Sequence, residues 1–250
     1  MSDATPRSRP RYLDLLWDRE DPTPRRGPRP TLTIRDIGAQ AVEIADTHGV
    51  DAVSMKAVAT GLGLTTMSLY RYVDSKDELI EVMIDTGFGR FDATLTGTWR
   101  ERLTSWAHRA AQVARNRPWL ATIPLRRPPV GPNILSWSEA GVGCFDGTPL
   151  TEQQKLSALL LVDGFVRHHV RQSSQMGLIG NPGTADSGDT GATYEELVAE
   201  YTSGGGYPHL FAAFTDPSVA DSVDDDFFGD ELDFGLRVIF DGLERLIDEM

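Results

Sequence analysis

The 250-residue chain predicts an all-α fold, with a three-helix helix-turn-helix unit over 33–78 and a larger helical body over 79–250. Three observations carry that prediction. Apolar residues recur at intervals of three and four along most of the chain, the spacing of one helix face, and no segment alternates as a half-buried strand does. Residues 54–79, SMKAVATGLGLTTMSLYRYVDSKDEL, place capping residues and glycines where two short helices joined by a tight turn need them. Late in the chain, 152–175 and 229–249 are long and apolar enough for two extended packed helices.

Residues 1–32 form a Pro/Arg-rich arm. Arg7, Arg9, Arg11, Arg25, Arg26 and Arg29 alternate with six prolines, a density that forbids a continuous helix. Tyr12 to Trp17 is apolar enough for a short helix. Two readings stand side by side: a basic arm along DNA, or a solvated leader that docks Trp17 on the fold. Five acids from Asp3 to Asp21 dilute its charge. Ile34, Ile37, Ala41, Ile44 and Ala45 then form the apolar stripe of a first helix. Ser54 caps a second, whose face is Met55, Val58, Ala59 and Leu62. Gly61 and Gly63 suit the sharp exit. Thr65 or Thr66 caps the next helix, whose first turn presents Thr65, Thr66, Met67 and Ser68. A helix entering the major groove by its N-terminal end reads base edges there. Lys56, Tyr70, Arg71, Tyr72 and Lys76 supply hydroxyls and cations that suit phosphates. Ser75-Lys76-Asp77-Glu78 is a capping box opening a helix to about residue 92, with Leu79, Val82, Met83 and Thr86 on one side.

In the body, 98–116 is a helix with Leu103, Trp106, Ala107, Ala110, Val113 and Ala114 inward. The proline-rich segment 117–132 connects it to a helix over 133–145, with at most a short turn at 119–122. Thr151-Glu152-Gln153-Gln154 is a second capping box, opening the helix 152–175. That helix is apolar nearly all round, so a second subunit is the natural cover for its outer side. Residues 177–192 read as a loop. Thr193 caps a short helix to about Tyr201. Gly204 to Gly206 break it, Tyr207 to Phe214 add a turn, and 216–230 are acidic. The last helix, 229–249, carries a wide apolar stripe from Leu232 to Ile247.

The net charge of −13 divides unevenly. Residues 1–76 hold 11 Lys/Arg against 10 Asp/Glu, whereas 77–250 hold 13 against 27. Acidity thus lies outside the helix-turn-helix, and phosphate binding depends on charge within a Debye length of about 8–10 Å. No apolar run reaches the roughly 18 residues of a membrane span. The polar N-terminus shows no signal peptide, and one cysteine, Cys144, suits a reducing cytoplasm as a buried apolar residue.

Ser68-Leu69-Tyr70-Arg71-Tyr72-Val73, then Ser75-Lys76-Asp77-Glu78-Leu79, with the upstream stripe and Thr47-His48-Gly49-Val50-Asp51, resembles the DNA-binding domain of TetR-family transcriptional regulators. The resemblance covers residues 33 to 90. The body, through Asn116-Arg117-Pro118-Trp119, Gly131-Pro132-Asn133 and Phe234-Gly235-Leu236, resembles the tetracycline-repressor subgroup. What the resemblance implies is a cytoplasmic repressor. It would bind a pseudo-palindromic double-stranded DNA operator as a homodimer through helices 152–175 and 229–249, and a small-molecule effector would release it. Thr65, Thr66, Met67 and Arg71 are expected to choose bases. Ser54, Lys56, Tyr70, Tyr72 and Lys76 are expected to hold phosphates, with Ser68 beside them.

The effector-pocket candidates are Trp106, Trp137, Phe145 and Phe165, with His108, His169 and Gln172 to orient a ligand. Tetracycline-magnesium binding does not carry over, because this chain offers Trp106 and Ala110 where that subgroup has a polar residue. No cofactor is implied. No zinc spacing, phosphate-cradling loop or nucleophile elbow nominates a metal site or an enzyme. The competing reading is a helical ligand-binding or protein-interaction module whose helix-turn-helix no longer reads DNA. The exposed polar set on that unit argues against it.

Overall fold

The structure is a computed structural model, described over residues 9–19, 32–125, 127–177, 179, 194–216 and 227–250. Most of the arm, almost all of the 177–192 loop, the Thr193 cap and most of the acidic 216–230 segment lie outside the described residues. Among the described residues the helices are α1 (Arg11–Leu16), α2 (Ile34–His48), α3 (Met55–Gly61), α4 (Thr66–Leu69), α5 (Lys76–Phe88), α6 (Trp99–Asn116), α7 (Trp119–Thr122), α8 (Pro132–Gly143), α9 (Glu152–Gln175), α10 (Tyr194–Thr202), α11 (Pro208–Phe214) and α12 (Phe227–Asp248). A 3-10 turn, Val50–Ala52, follows α2. The described residues contain no strand.

Caps fix where these helices begin. Thr33, Thr98 and Thr151 each accept the N–H of the third helical residue, Asp36, Glu101 or Gln154. That residue's side chain in turn takes the threonine N–H. Such a cap contributes about 1 kcal/mol. The Ser75 box is only half formed. Ser75 Oγ accepts from Glu78 N, but the Glu78 carboxylate accepts the N–H of Asp74, one residue earlier, at 2.6 Å.

Two apolar cores result. The N-terminal core joins α1 to α5 with Trp119 and Leu120 of α7 and Ile134 of α8. The C-terminal core joins α6, α8, α9 and α12. Phe88, at the end of α5, packs against both, so α5 belongs to the head and ends on the body. Helix α5 is shorter than expected: it stops at Phe88 because Gly89 takes φ +66°, a conformation glycine adopts without strain. Gly87 lies inside the helix, where a Cβ would sit 2.6 Å from Trp119 Cη2, so it makes room for the indole.

The described part of the arm docks on the head, and Tyr12 and Leu16 are the residues buried, not Trp17. Trp17 stays a third exposed and donates its indole N–H to the Val130 carbonyl at 3.0 Å. The Tyr12 hydroxyl bonds to Glu81, and burial with that carboxylate pushes it well above the usual phenol range. Cys144 is wholly buried, and burial pushes its thiol up to about 11.

Candidate nucleic-acid interface and adjoining cavity

The helix-turn-helix is built from α3, the turn at Gly61–Leu64 and α4. Ser54 Oγ accepts from Ala57 N at 3.1 Å and starts α3. Val58 and Ala59 face the core, while Lys56 is exposed. Gly63 turns the chain at φ +68°. Thr65, rather than Thr66, caps α4: its Oγ1 accepts from Ser68 N at 3.3 Å and bonds Ser68 Oγ at 3.0 Å. Leu69 and Val73, both fully buried, anchor α4 and the turn after it.

That anchoring leaves a definite outer surface. Met67 is 75% exposed and Tyr70 44%, although both are large and apolar or aromatic. Thr65 and Arg71 are exposed as well, and Thr66 and Ser68 half-buried. Lys56, Arg71 and Lys76 are exposed and have no carboxylate partner among the described residues. Free cations beside exposed hydroxyls at a helix N-terminus are what a phosphate backbone and a base edge require. Tyr72 sits differently. It is half-buried against the head core and donates its hydroxyl proton to the Leu32 carbonyl at 3.1 Å, so that proton is not available to a phosphate.

Behind the head, α5 is tied to the body at Asp85. This carboxylate is 3% exposed, and its Oδ1 accepts the N–H groups of Asn133 and Ile134, each at 3.0 Å. It therefore satisfies the first turn of α8 from outside that helix, as a capping side chain would from within. A Cβ at Gly131 would lie 2.2 Å from Asp85 Oδ1, which is why the approach needs glycine. Asp85 Oδ2 is buried without a partner, and burial raises this carboxyl above the usual range.

Immediately beyond lies a cavity of about 240 Å³. Phe88, Phe91, Val113 and Trp137 give it apolar walls, and Arg90, Asp92, Arg109 and Gln112 its polar lining. The Phe91 and Trp137 rings meet edge-on at 4.8 Å. Trp137 is locked there by donating to the Gly89 carbonyl at 3.0 Å. Its own carbonyl takes the Trp106 indole N–H at 2.9 Å. Arg109 and Gln112 also border an open groove along α6, lined by Thr104, Ser105 and His108.

The seven pocket candidates do not come together. Trp137 borders the cavity and Trp106 braces it from the core. Phe145 is fully buried and stacks on Trp99. Phe165 and His169 stack with each other, over the α9–α12 contact, where His169 Nε2 donates to the Phe228 carbonyl at 2.9 Å. His108 is exposed and pairs with Asp233 at 2.6 Å. Gln172 faces solvent. Phe88, Arg90, Phe91, Arg109 and Gln112 escaped sequence reading: the first three sit where a helix was expected to run on, and the last two look like a solvated face of α6.

Residues 32–83 match the family profile described as bacterial regulatory proteins, tetR family, and residues 92–247 the one described as tetracyclin repressor-like, C-terminal domain. This chain belongs to the TetR family. As a TetR-family protein it is a helix-turn-helix, DNA-binding transcriptional regulator. It is 34% identical over 244 residues to the HTH-type transcriptional repressor DrrR1 of Streptomyces coeruleorubidus, covering 95% of this chain and 86% of that one. An HTH-type transcriptional regulator of Saccharopolyspora erythraea is 34% identical over 113 residues, 44% of this chain and 48% of its own length. In fold it is similar to the TetR-family protein ActR of Streptomyces coelicolor, whose structure is a complex with actinorhodin. The TM-score is 0.70 at 24% identity, over 86% of this chain and 98% of that one. Among the described residues no helix is long and apolar enough to cross a membrane, and no cluster of His, Cys, Asp or Glu could hold a metal.

Proposed function

We propose that this regulator is a homodimeric repressor that binds a pseudo-palindromic operator and leaves it when a small molecule occupies the body. The observation that carries the dimer is the outer surface of the two late helices. On α9, Leu156, Leu160 and Leu161 are 54%, 72% and 54% exposed. On α12, Phe234, Val238 and Leu246 are 55%, 56% and 40% exposed and recur at helical spacing with Gly242 between. A monomer that exposes two such stripes side by side has apolar surface a copy of itself would cover. Two-fold pairing there would present two α4 helices to successive major-groove half-sites, and symmetric half-sites need that geometry.

Effector control is supported by the path from cavity to reader. Phe88 of α5 lines the cavity, Asp85 of α5 holds α8, and α5 carries the head. An occupant that displaced Phe88 or Trp137 would shift α5 and with it the spacing of the two readers. The structure of ActR, a protein of similar fold, is a complex with actinorhodin, and the cavity of this chain makes the body the place to seek an effector. Repression follows the named function of the DrrR1 relative.

The test is Leu160→Glu with Val238→Glu. Sedimentation should show a dimer for the native protein and a folded monomer for the double variant, which should lose sequence-specific DNA binding. A native monomer at micromolar concentration, or a variant that stays dimeric, would overturn the proposed interface.

A further inference from the structure

We infer that the cavity at the end of α5 takes a planar aromatic molecule carrying an anionic group, with the ring system on the Phe91–Trp137 wall and the anion at Arg109 and Arg90. This rests on the effector reading above and adds the ligand's chemical class. Two independent features converge on it.

The first is the disposition of positive charge. From residue 77 on the chain has 13 Lys/Arg and 27 Asp/Glu, so most cations find partners. Those described are held by carboxylates, main-chain carbonyls, aromatic faces or a histidine. Among the described residues of this body, Arg90 and Arg109 alone have no such partner, and both line the same cavity. Asp92 is the single carboxylate on that lining, which leaves the site net positive. In the groove that shares Arg109, the other ionisable side chains are engaged: Arg100 with Asp241 and Glu244, Glu101 with Thr98, His108 with Asp233. A guanidinium left unpaired in an acid-rich body is positioned for an anion from outside, and its planar fork suits a carboxylate or sulfonate.

The second feature is the aromatic wall. Phe88 and Phe91 pack edge-on against Trp137, at 6.3 and 4.8 Å between centroids, and two indole hydrogen bonds hold the assembly. Phe88 and Phe91 are only half-buried, so ring surface remains open to the cavity. Offset or edge contacts favour a flat ring over an alkyl chain. An occupant bridging this wall to Arg109 would touch α5, α6 and α8 together.

The experiment titrates the full-length protein with 2-naphthoate and with its neutral isostere 2-naphthamide, by calorimetry and tryptophan fluorescence. Native protein, Arg109→Gln, Arg90→Gln, the double variant and Phe91→Ala are compared. Native protein should bind naphthoate about tenfold more tightly than naphthamide, the range of one charged hydrogen bond. The arginine variants should bring that ratio towards one with naphthamide affinity unchanged, and Phe91→Ala should weaken both probes. Equal affinities in the native protein, or a ratio that survives in the double variant, would overturn the anionic class while leaving an aromatic effector site standing. Binding of neither probe would overturn both the class and the cavity. Operator binding by the same samples reports separately on the DNA-binding function.

Discussion

Lys76→Ala puts the nucleic-acid interface at measurable risk through the salt dependence of binding. Each reader offers three exposed cations with no carboxylate partner among the described residues: Lys56, Arg71 and Lys76. With Arg71 set against a phosphate as well as a base, a dimer would then neutralise about six phosphates. The logarithm of affinity falls with that of salt at a slope of about −0.9 per neutralised phosphate, here about −5.4, so a fourfold rise from ~50 to ~200 mM should weaken binding by about 2,000-fold. Lys76→Ala removes one cation from each reader. The slope should drop to about −3.6, and the same salt rise should then weaken binding by only about 150-fold. Lys76 sits at the start of α5, away from the first turn of α4, so base preference should not change. The assay is fluorescence anisotropy on one operator duplex and on variants with single base changes, each across a salt series. A slope unchanged by Lys76→Ala would refute its assignment to a phosphate. Altered base preference at undiminished affinity would refute the division between Lys76 and the α4 residues.

Further expectations are local. Gly87→Ala removes a helix glycine, which alone would stabilise by about 1 kcal/mol. The new methyl would meet Trp119, whose indole is fixed to Asp46 at 2.6 Å, and overpacking of about 1–3 kcal/mol should win. Urea unfolding should show net destabilisation, and a more stable variant would contradict the packing described. Asp85 has its carboxyl raised by burial above its ordinary 3.8. A raised acid holds its proton more tightly when folded, so its contribution is fully present below about that value and is lost as pH rises through the folded value. Asp85→Asn keeps an oxygen acceptor for α8 and removes the titration. The stability of Asp85→Asn relative to native protein should therefore rise with pH from about 4 and then level, and a flat difference would reject the buried charge. Met67→Ala, at a 75% exposed side chain, should leave the melting temperature unchanged while altering base preference in the α4 half-site.

Much of the architecture was legible because helices declare themselves locally. The stripe Ile34, Ile37, Ala41, Ile44 and Ala45 is buried as its spacing requires, and Thr151 with Gln154 opens α9 at the residue the capping pattern marks. The reader was legible for the same reason: Ser54, Gly63 and Thr65 are short-range signals for a cap, a turn and a cap. What stayed hidden depends on contacts distant in sequence. Asp85 reads as one polar residue on a helix until the first turn of α8, nearly fifty residues on, donates two N–H groups to it. Gly87 is one glycine inside a helical pattern, and only the position of Trp119 shows it as a close approach. Aromatic and histidine residue types alone do not mark which side chains share a cavity. In the fold Phe145 and Phe165 pack inside the body, while Arg90 and Arg109 hold the polar side of the cavity, and no spacing rule separates such arginines from a solvated face. Tyr72 carried the right chemistry for a phosphate, but its hydroxyl closes the head against Leu32.

The most direct measurement is selection of bound duplexes from a random-sequence library by the purified protein at moderate salt. A dimeric reader with one α4 in each of two major-groove half-sites should enrich a two-fold-symmetric sequence whose half-sites lie about one helical turn or a multiple apart. No enrichment by protein stripped of any co-purified small molecule, or enrichment of a single asymmetric half-site, would contradict the account.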